Sequence, residues 1–423
     1  MTPPRPDEIE ISVFGRGIGE AVAVHCGGGA WALVDSCLDE KGLPAALSYI
    51  DAMSISREDV ELLVVTHWHD DHVRGFSALI EACPNARVVV ANALTTDEFQ
   101  TLAKAYGRSR AKTQQPGLRE IDRVFDLIVS ERRSVAYAVA DRVVWTRDVQ
   151  LAGGTVRSTL SSLSPTDVGS RRALLGLQRL LPRPGASKRR LPNPSPNDLS
   201  IVLWLSVGSH RVVLGGDLEN AGWAEILNSS TLLDGTASAI KVPHHGSEGA
   251  HHPPFWNDHV DRSSTAVVTP YARPPFLPKK SDVVRVLGAV SNLHSAGPTD
   301  RVKFEPADRV VQRTLREAGV QLERISGPLG QVRLRRSIHG STEWAVELIG
   351  NSTTFDRAAG HLRGHRVRRS PVLPPADESG VDAATLQPVE DRHRDELRAV
   401  VRADDLGGAP LDEELRQHLD DAA

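Results

Sequence analysis

Glu61-Leu62-Leu63-Val64-Val65-Thr66-His67-Trp68-His69-Asp70-Asp71-His72 is a short apolar run that ends in three histidines and two aspartates. The run predicts a buried strand closing at Thr66, with an irregular loop behind it. Imidazole nitrogens and carboxylate oxygens are the donors that suit zinc and similar divalent ions. A loop leaving a strand end can point alternate side chains into one cavity. His67 and His69 then reach one metal, and Asp71 and His72 a second one nearby. The competing reading is a solvated polar loop; the gathering of three of the sixteen histidines within six residues argues against it.

Upstream, Ile9–Phe14, Ala21–His25 and Trp31–Val34 are short apolar runs separated by glycine turns, and they predict a strand meander. Gly15, Gly17 and Gly19 look superficially like a nucleotide loop, but no helix pattern follows them. Asp35 closes the third run. It is either an acceptor for a ligand histidine or a turn carboxylate. Helices are expected at 43–52 and 73–82, a strand at 87–90, and helical structure over 95–139, where Thr95 and Glu98 suggest a capping box. Strands return at 142–160.

Residues 161–200 are rich in Ser, Pro and Arg and read as a partly ordered loop. Further on, Val212-Val213-Leu214-Gly215-Gly216-Asp217 is an apolar strand ending in glycines and one carboxylate, as a bridging aspartate requires. Ala239-Ile240-Lys241-Val242-Pro243-His244-His245-Gly246-Ser247 is another strand ending in histidines. The layout is α/β, with strands and helices alternating to about residue 349.

The HxHxDH cluster, the Gly-Asp strand end and the later histidine resemble the metallo-β-lactamase superfamily. Asn197-Asp198-Leu199-Ser200-Ile201-Val202-Leu203, with Gly215-Gly216-Asp217 and Val242–Ser247, is similar to the hydrolase domain of ComEC-type competence proteins and its stand-alone relatives. The resemblance implies a four-layer αββα fold, two packed sheets flanked by helices, over residues 1–355, with a basic insert around 161–199. By it, His67 and His69 bind one divalent ion, Asp71 and His72 the other, Asp217 bridges them, and His244 is the last ligand. His245 is left as a substrate or metal contact. Two departures stand out. No histidine occurs from 73 to 209, which leaves Asn197 near a position often held by an imidazole. His69 stands where ComEC-type clusters often carry an acid. Zinc is the expected metal, with manganese, a harder ion, as the alternative.

The resemblance implies a metal-dependent hydrolase that uses a metal-activated hydroxide, with Asp71 and Asp217 as its catalytic carboxylates. Nucleic acid is the expected substrate. Arg171, Arg172, Arg179, Arg183, Lys188, Arg189 and Arg190 are seven cations in twenty residues without an acid, immediately before Asn197. Arg171, Arg172, Lys188, Arg189 and Arg190 are the expected phosphate contacts. The alternatives are a hydrolase of small esters, lactones or cyclic phosphodiesters, and a metal-binding interaction module without turnover.

Composition narrows the classes further. At 40% hydrophobic and 25% charged, the 423-residue chain can bury a core, and a net charge of −4 argues against a uniformly basic nucleic-acid coat. Three cysteines without paired spacing predict buried reduced thiols. No export signal or membrane-length apolar run is evident, so a cytoplasmic protein without a membrane partner is expected. Residues 356–423 turn basic, then Pro-rich, then acidic. They read as a largely disordered tail with one short helix at 411–419 and room for a protein partner.

Overall fold

The computed structural model describes residues 2–107, 116–181, 196–299, 302–304, 309–317, 320–324, 327–340, 343–355 and 397–401. Lys188, Arg189, Arg190, the 411–419 helix and most of the expected tail lie outside the described residues.

The first part of the chain runs β1 (Glu8–Gly15), β2 (Glu20–His25), β3 (Trp31–Val34), α1 (Ala45–Ala52), β4 (Val60–Val64), α2 (Asp70–Val73), α3 (Phe76–Ala82), β5 (Arg87–Ala91), α4 (Asp97–Gly107), α5 (Pro116–Ser130) and β6 (Val135–Ala138). The second part runs β7 (Arg142–Leu151), β8 (Gly154–Ser162), α6 (Asp167–Gln178), β9 (Leu203–Val207), β10 (His210–Leu214), α7 (Asn220–Ser229), β11 (Ala237–Lys241), α8 (Pro253–His259), β12 (Val260–Val268), α9 (Lys280–Ala289) and β13 (Asn292–Ser295). Then come β14 (Val302–Phe304), α10 (Arg309–Glu317), β15 (Val320–Arg324), β16 (Gly330–Ser337), β17 (Ala345–Gly350), β18 (Thr353–Phe355) and β19 (Leu397–Val401).

Two eight-stranded sheets result, in the orders β17-β16-β1-β2-β3-β4-β5-β6 and β18-β13-β12-β11-β10-β9-β8-β7. Each changes from antiparallel to parallel pairing partway across, at β3–β4 in the first and β10–β11 in the second, where the edge pair β13–β18 is antiparallel again. The parallel strands β3 and β4, and likewise β10, β11 and β12, therefore end on a common edge. In open α/β sheets that edge is where ligands bind.

Residue alternation along β9 shows how the sheets stack. Leu203, Leu205 and Val207 join the larger core, which also holds Ile11, Val13 and Val24 of the first sheet, whereas Val202 and Trp204 point into a second core under α7, α8 and α9. There, fully buried Trp223 and Phe255 pack in a tilted arrangement with ring centroids 4.1 Å apart. Two sheets covered by helices give the expected four-layer αββα fold.

Local structure departs from the sequence reading in several places. The expected helix at 73–82 is split: Gly75, at φ 83°, begins α3, and a Cβ there would lie 2.6 Å from Leu38 Cδ2. Helical structure over 95–139 stops at Ser130, and β6 follows, because Val135–Ala138 completes the parallel edge beside β5. The helix cap falls one residue later than expected: Thr96 Oγ1 accepts from Phe99 N–H at 3.4 Å, while Thr95 Oγ1 donates to Asn92 O. The expected loop at 161–200 contains α6, capped by Thr166, whose Oγ1 accepts from Gly169 N–H at 3.0 Å. Arg171 and Arg172 sit on this helix. Residues 397–401, inside the expected tail, form β19, which pairs with β15 in a small third sheet. Cys26, Cys37 and Cys83 are buried free thiols. Among the described residues no helix is long and apolar enough to cross a membrane.

Candidate metal centre

The site lies where the two parallel edges meet. Ile201 N–H donates to Thr66 O at 3.1 Å, joining the end of the β4 segment to the approach to β9. Asp217 follows β10 through Gly216, whose φ is 50° and whose absent Cβ leaves room for Ser200 Oγ. That hydroxyl accepts from Asp217 N–H at 2.7 Å and fixes the carboxylate. His244 N–H donates to Gly216 O at 2.9 Å, so the strand ends of β10 and β11 are locked together.

Asp217 Oδ2 is the centre of the arrangement. It lies 3.4 Å from His72 Nε2, 3.8 Å from His67 Nε2, 3.8 Å from His245 Nε2 and 3.9 Å from His244 Nε2. His67 and His69 face each other through Nε2 and Nδ1 at 3.1 Å, and His245 Nε2 lies 3.1 Å from Asp71 Oδ2. Two groups of potential ligands follow: His67, His69 and Asp217; and Glu20, His72, Asp217 and His245.

The hydrogen bonds behind the rings decide which nitrogens are free. Thr66 Oγ1 donates to Asp35 Oδ2 at 2.7 Å and so accepts at 3.0 Å from His67 Nδ1–H, leaving the lone pair of His67 on Nε2. Asp35 also accepts from Thr66 N–H and, at 2.8 Å, from His72 Nδ1. His245 Nδ1 donates to Thr269 O at 3.1 Å, and its ring stacks on Tyr271. In all three histidines Nε2 is thereby turned toward Asp217.

A divalent ion suits this donor set. Donor atoms around one tetrahedral zinc lie roughly 3.3 Å apart, close to the separations above. His72 Nε2 and Asp217 Oδ1 are buried yet have no hydrogen-bond partner, which a cation would supply. Electrostatics agree. Burial opposes charge on His72, but Asp217, Glu20, Asp71 and Asp35 hold its pKa well above the ordinary value. His245 is raised against burial mainly by Asp217. Burial opposes ionisation of Asp217 and Asp71, yet His72 and its neighbours hold both well below the ordinary carboxylate range. His67 is pushed far down by burial and the neighbouring His72 and is neutral, as a ligand must be.

His244 is partly exposed, with Nδ1 3.6 Å from Glu219 Oε1. Asn197 is buried; its Nδ2 donates to Glu219 Oε1 at 2.9 Å, and its Oδ1 has no partner. Asp70 faces away from the centre and accepts from Gly117 N–H at the start of α5. Arg172 does not stand free: it pairs with Asp198 at 2.8 Å and Glu225 at 3.0 Å. His210 lies off the site and contacts Ile338 O. The sequence reading missed Glu20, Lys241 and Thr269. Glu20 opens β2 and Lys241 closes β11, each a single charge at the end of a buried strand.

The family model described as the metallo-beta-lactamase superfamily matches residues 15–167. ComE operon protein 3 of Bacillus subtilis (strain 168) is 42% identical over 60 residues, which are 14% of this chain and 8% of that protein. Among solved structures, CmlA, a diiron beta-hydroxylase from Streptomyces venezuelae, is 15% identical, with 57% of this chain and 35% of that one covered at a TM-score of 0.29. Zn(2+)-bound PqqB from Methylobacterium extorquens is 14% identical over 52% of this chain and 58% of its own, at 0.28. Residues 15–167, which match the metallo-beta-lactamase superfamily model, carry Glu20, Asp35 and the cluster from His67 to His72, and the second sheet adds Asp217 and His245 to the same centre.

Proposed function

We propose that this chain is a metal-dependent hydrolase of phosphodiesters, with a nucleic acid as substrate. The observation that carries the proposal is the position of Asp217 Oδ2, shared between His67 on one side and His72 and His245 on the other. His67, His69 and Asp217 would hold one ion, and Asp71, His72, Asp217 and His245 the second. Zinc suits the imidazole-rich set, and manganese is the alternative. When bound, such a pair activates water at neutral pH and stabilises charge on a transferring phosphoryl group. Asp71, ionised and lining the centre, would orient the attacking water. His244, partly exposed with Nδ1 toward Glu219 and Nε2 3.9 Å from Asp217 Oδ2, would contact the substrate at the rim of the centre. Residues 66–73 and the strand ends around them exclude bulk water, since Thr66, His67 and His72 are all buried.

Nucleic acid is favoured by the competence-type motifs, by the local similarity to ComE operon protein 3 and by Arg171 on α6 at the head of the basic run. A small ester, lactone or cyclic phosphodiester is the second reading, because the ion pairs of Arg172 with Asp198 and Glu225 give that cation a structural role. The test is cleavage of bis(p-nitrophenyl) phosphate, single-stranded DNA and RNA by chelator-stripped protein before and after adding zinc or manganese. Metal-restored cleavage of the polymers supports the nuclease. Restored cleavage of the small phosphodiester alone moves the assignment to the second reading.

A further inference from the structure

Glu20 belongs to the buried group of four potential ligands with His72, Asp217 and His245, and the simplest expectation is that it binds metal. Its contacts point elsewhere. Glu20 Oε1 is 2.5 Å from Lys241 Nζ and 3.6 Å from His72 Nδ1. Oε2 accepts from Thr269 Oγ1 at 2.5 Å and lies 3.6 Å from His245 Nδ1. Both imidazoles are thus approached at Nδ1, the nitrogen already committed to Asp35 in one ring and Thr269 in the other. Their Nε2 atoms face the opposite way, toward Asp217 and Asp71. Glu20 stands behind the two rings and the metal position in front of them.

We infer that Glu20 and Lys241 form a positioning pair that aims His72 and His245 at the second metal position and keeps the Glu20 carboxylate out of the ligand set. The inference rests on the metal reading above. Lys241 is buried and also approaches Gly216 O at 3.3 Å, one residue before Asp217. The pair therefore links the start of β2, the ends of β10 and β11 and, through Thr269, the end of β12. A buried ion pair is weak as a source of stability, since desolvation offsets most of the attraction. Its location behind two converging imidazoles gives it a use that an apolar pair could not fill: a negative charge on the Nδ1 side strengthens each ring as a donor from Nε2.

The test is zinc titration of chelator-stripped protein against a competing chelator, for wild type, Glu20→Gln, and the double variant Glu20→Gln with Lys241→Met. The double variant removes both buried charges together, so neither is left unpaired. Wild type is expected to take up two equivalents. In the double variant the first should bind as before and the second about 10–100-fold more weakly, the usual cost of losing an outer partner. Glu20→Gln alone should keep two equivalents and weaken only the second. Uptake of a single equivalent by Glu20→Gln would make Glu20 a ligand and overturn the inference. Equal weakening of both equivalents would reduce the pair to general structural support, and unchanged affinity would deny it any role; either overturns the inference alone. Failure of wild type to bind zinc at all would overturn the metal reading and the inference with it.

Discussion

Asp35 and His72 are joined by a 2.8 Å hydrogen bond from Nδ1 to Oδ2, with both side chains buried. Because Asp35 also accepts from Thr66 N–H and Oγ1, one carboxylate sets the end of the β4 segment and the aim of His72. Asp35→Ala is expected to cost about 1–3 kcal/mol of stability, from the unpaired donors it leaves, and to weaken zinc binding about 10–100-fold. Denaturant unfolding and chelator competition check the two parts. Full zinc affinity in this variant would leave Asp35 with only its turn role.

Stability should respond to pH in opposite senses with and without metal. His72 and His245 have raised pKa values in the metal-free fold, so their contribution is fully present below about pH 6.5, the ordinary histidine value, and is lost as pH rises through the raised values. His67 and His69, lowered mainly by burial, act in the other window: their contribution is lost as pH falls below the same ordinary value. Metal-free protein should therefore be most stable near that value and melt earlier on the alkaline side. Zinc must displace the protons on His72 and His245, so the stabilisation it adds should grow as pH rises. Thermal melts across pH 5.5–8.5, roughly the range of ordinary histidine titration, with and without zinc check this. Zinc stabilisation that shrinks as pH rises would contradict the ligand assignment.

The adjacent histidines should separate cleanly. His245 is buried against Thr269 and Tyr271 with Nε2 toward Asp71, while His244 faces Glu219 and the open side. His245→Ala should lose the second zinc equivalent by about 100-fold or more, beyond the usual cost of an outer partner. His244→Ala should retain both equivalents and lose turnover. The opposite pattern in a zinc titration would return the ligand role to His244.

On the basic run, Arg171 and Arg172 should behave differently. Arg172→Ala breaks partly exposed ion pairs with Asp198 and Glu225, worth up to about 1 kcal/mol of stability, and should barely alter nucleic-acid binding. Neutralising Arg171, Lys188, Arg189 and Arg190 should reduce the salt slope of single-strand affinity by roughly 0.7 per lost contact. Zinc content should be unchanged. An unaltered slope would favour a small-molecule substrate.

Much of this site was legible in the sequence because its donors sit at the ends of apolar strands: the His67–His72 cluster after Val65, Asp217 after Leu214 and His245 after Val242. Parallel pairing brings such ends to one edge, so a strand pattern ending in ligand residues carries three-dimensional information. Glu20 was less legible because it opens its strand instead of closing one, and Lys241 because a charge among buried strand residues has no periodic signature. The order of His244 and His245 was also hidden. Both residues have positive φ, at 45° and 52°, and the tight turn between Pro243 and Ser247, which no hydrophobic pattern encodes, determines which ring points inward. Helix α6 was masked by the Ser-, Pro- and Arg-rich segment around it, though Thr166 and Gly169 mark its capped start.

The central claim is that Asp217 joins two metal positions into one hydrolytic centre, and Asp217→Ala tests it most directly. Zinc stoichiometry and hydrolysis of bis(p-nitrophenyl) phosphate should be measured on the same preparations of wild type and variant. Wild type should bind two equivalents and hydrolyse the ester in proportion to zinc occupancy, whereas Asp217→Ala should fail to hold the pair and lose hydrolysis. A variant that keeps two tightly bound zinc ions, or stripped wild type that hydrolyses as fast as the zinc-loaded protein, would contradict the account.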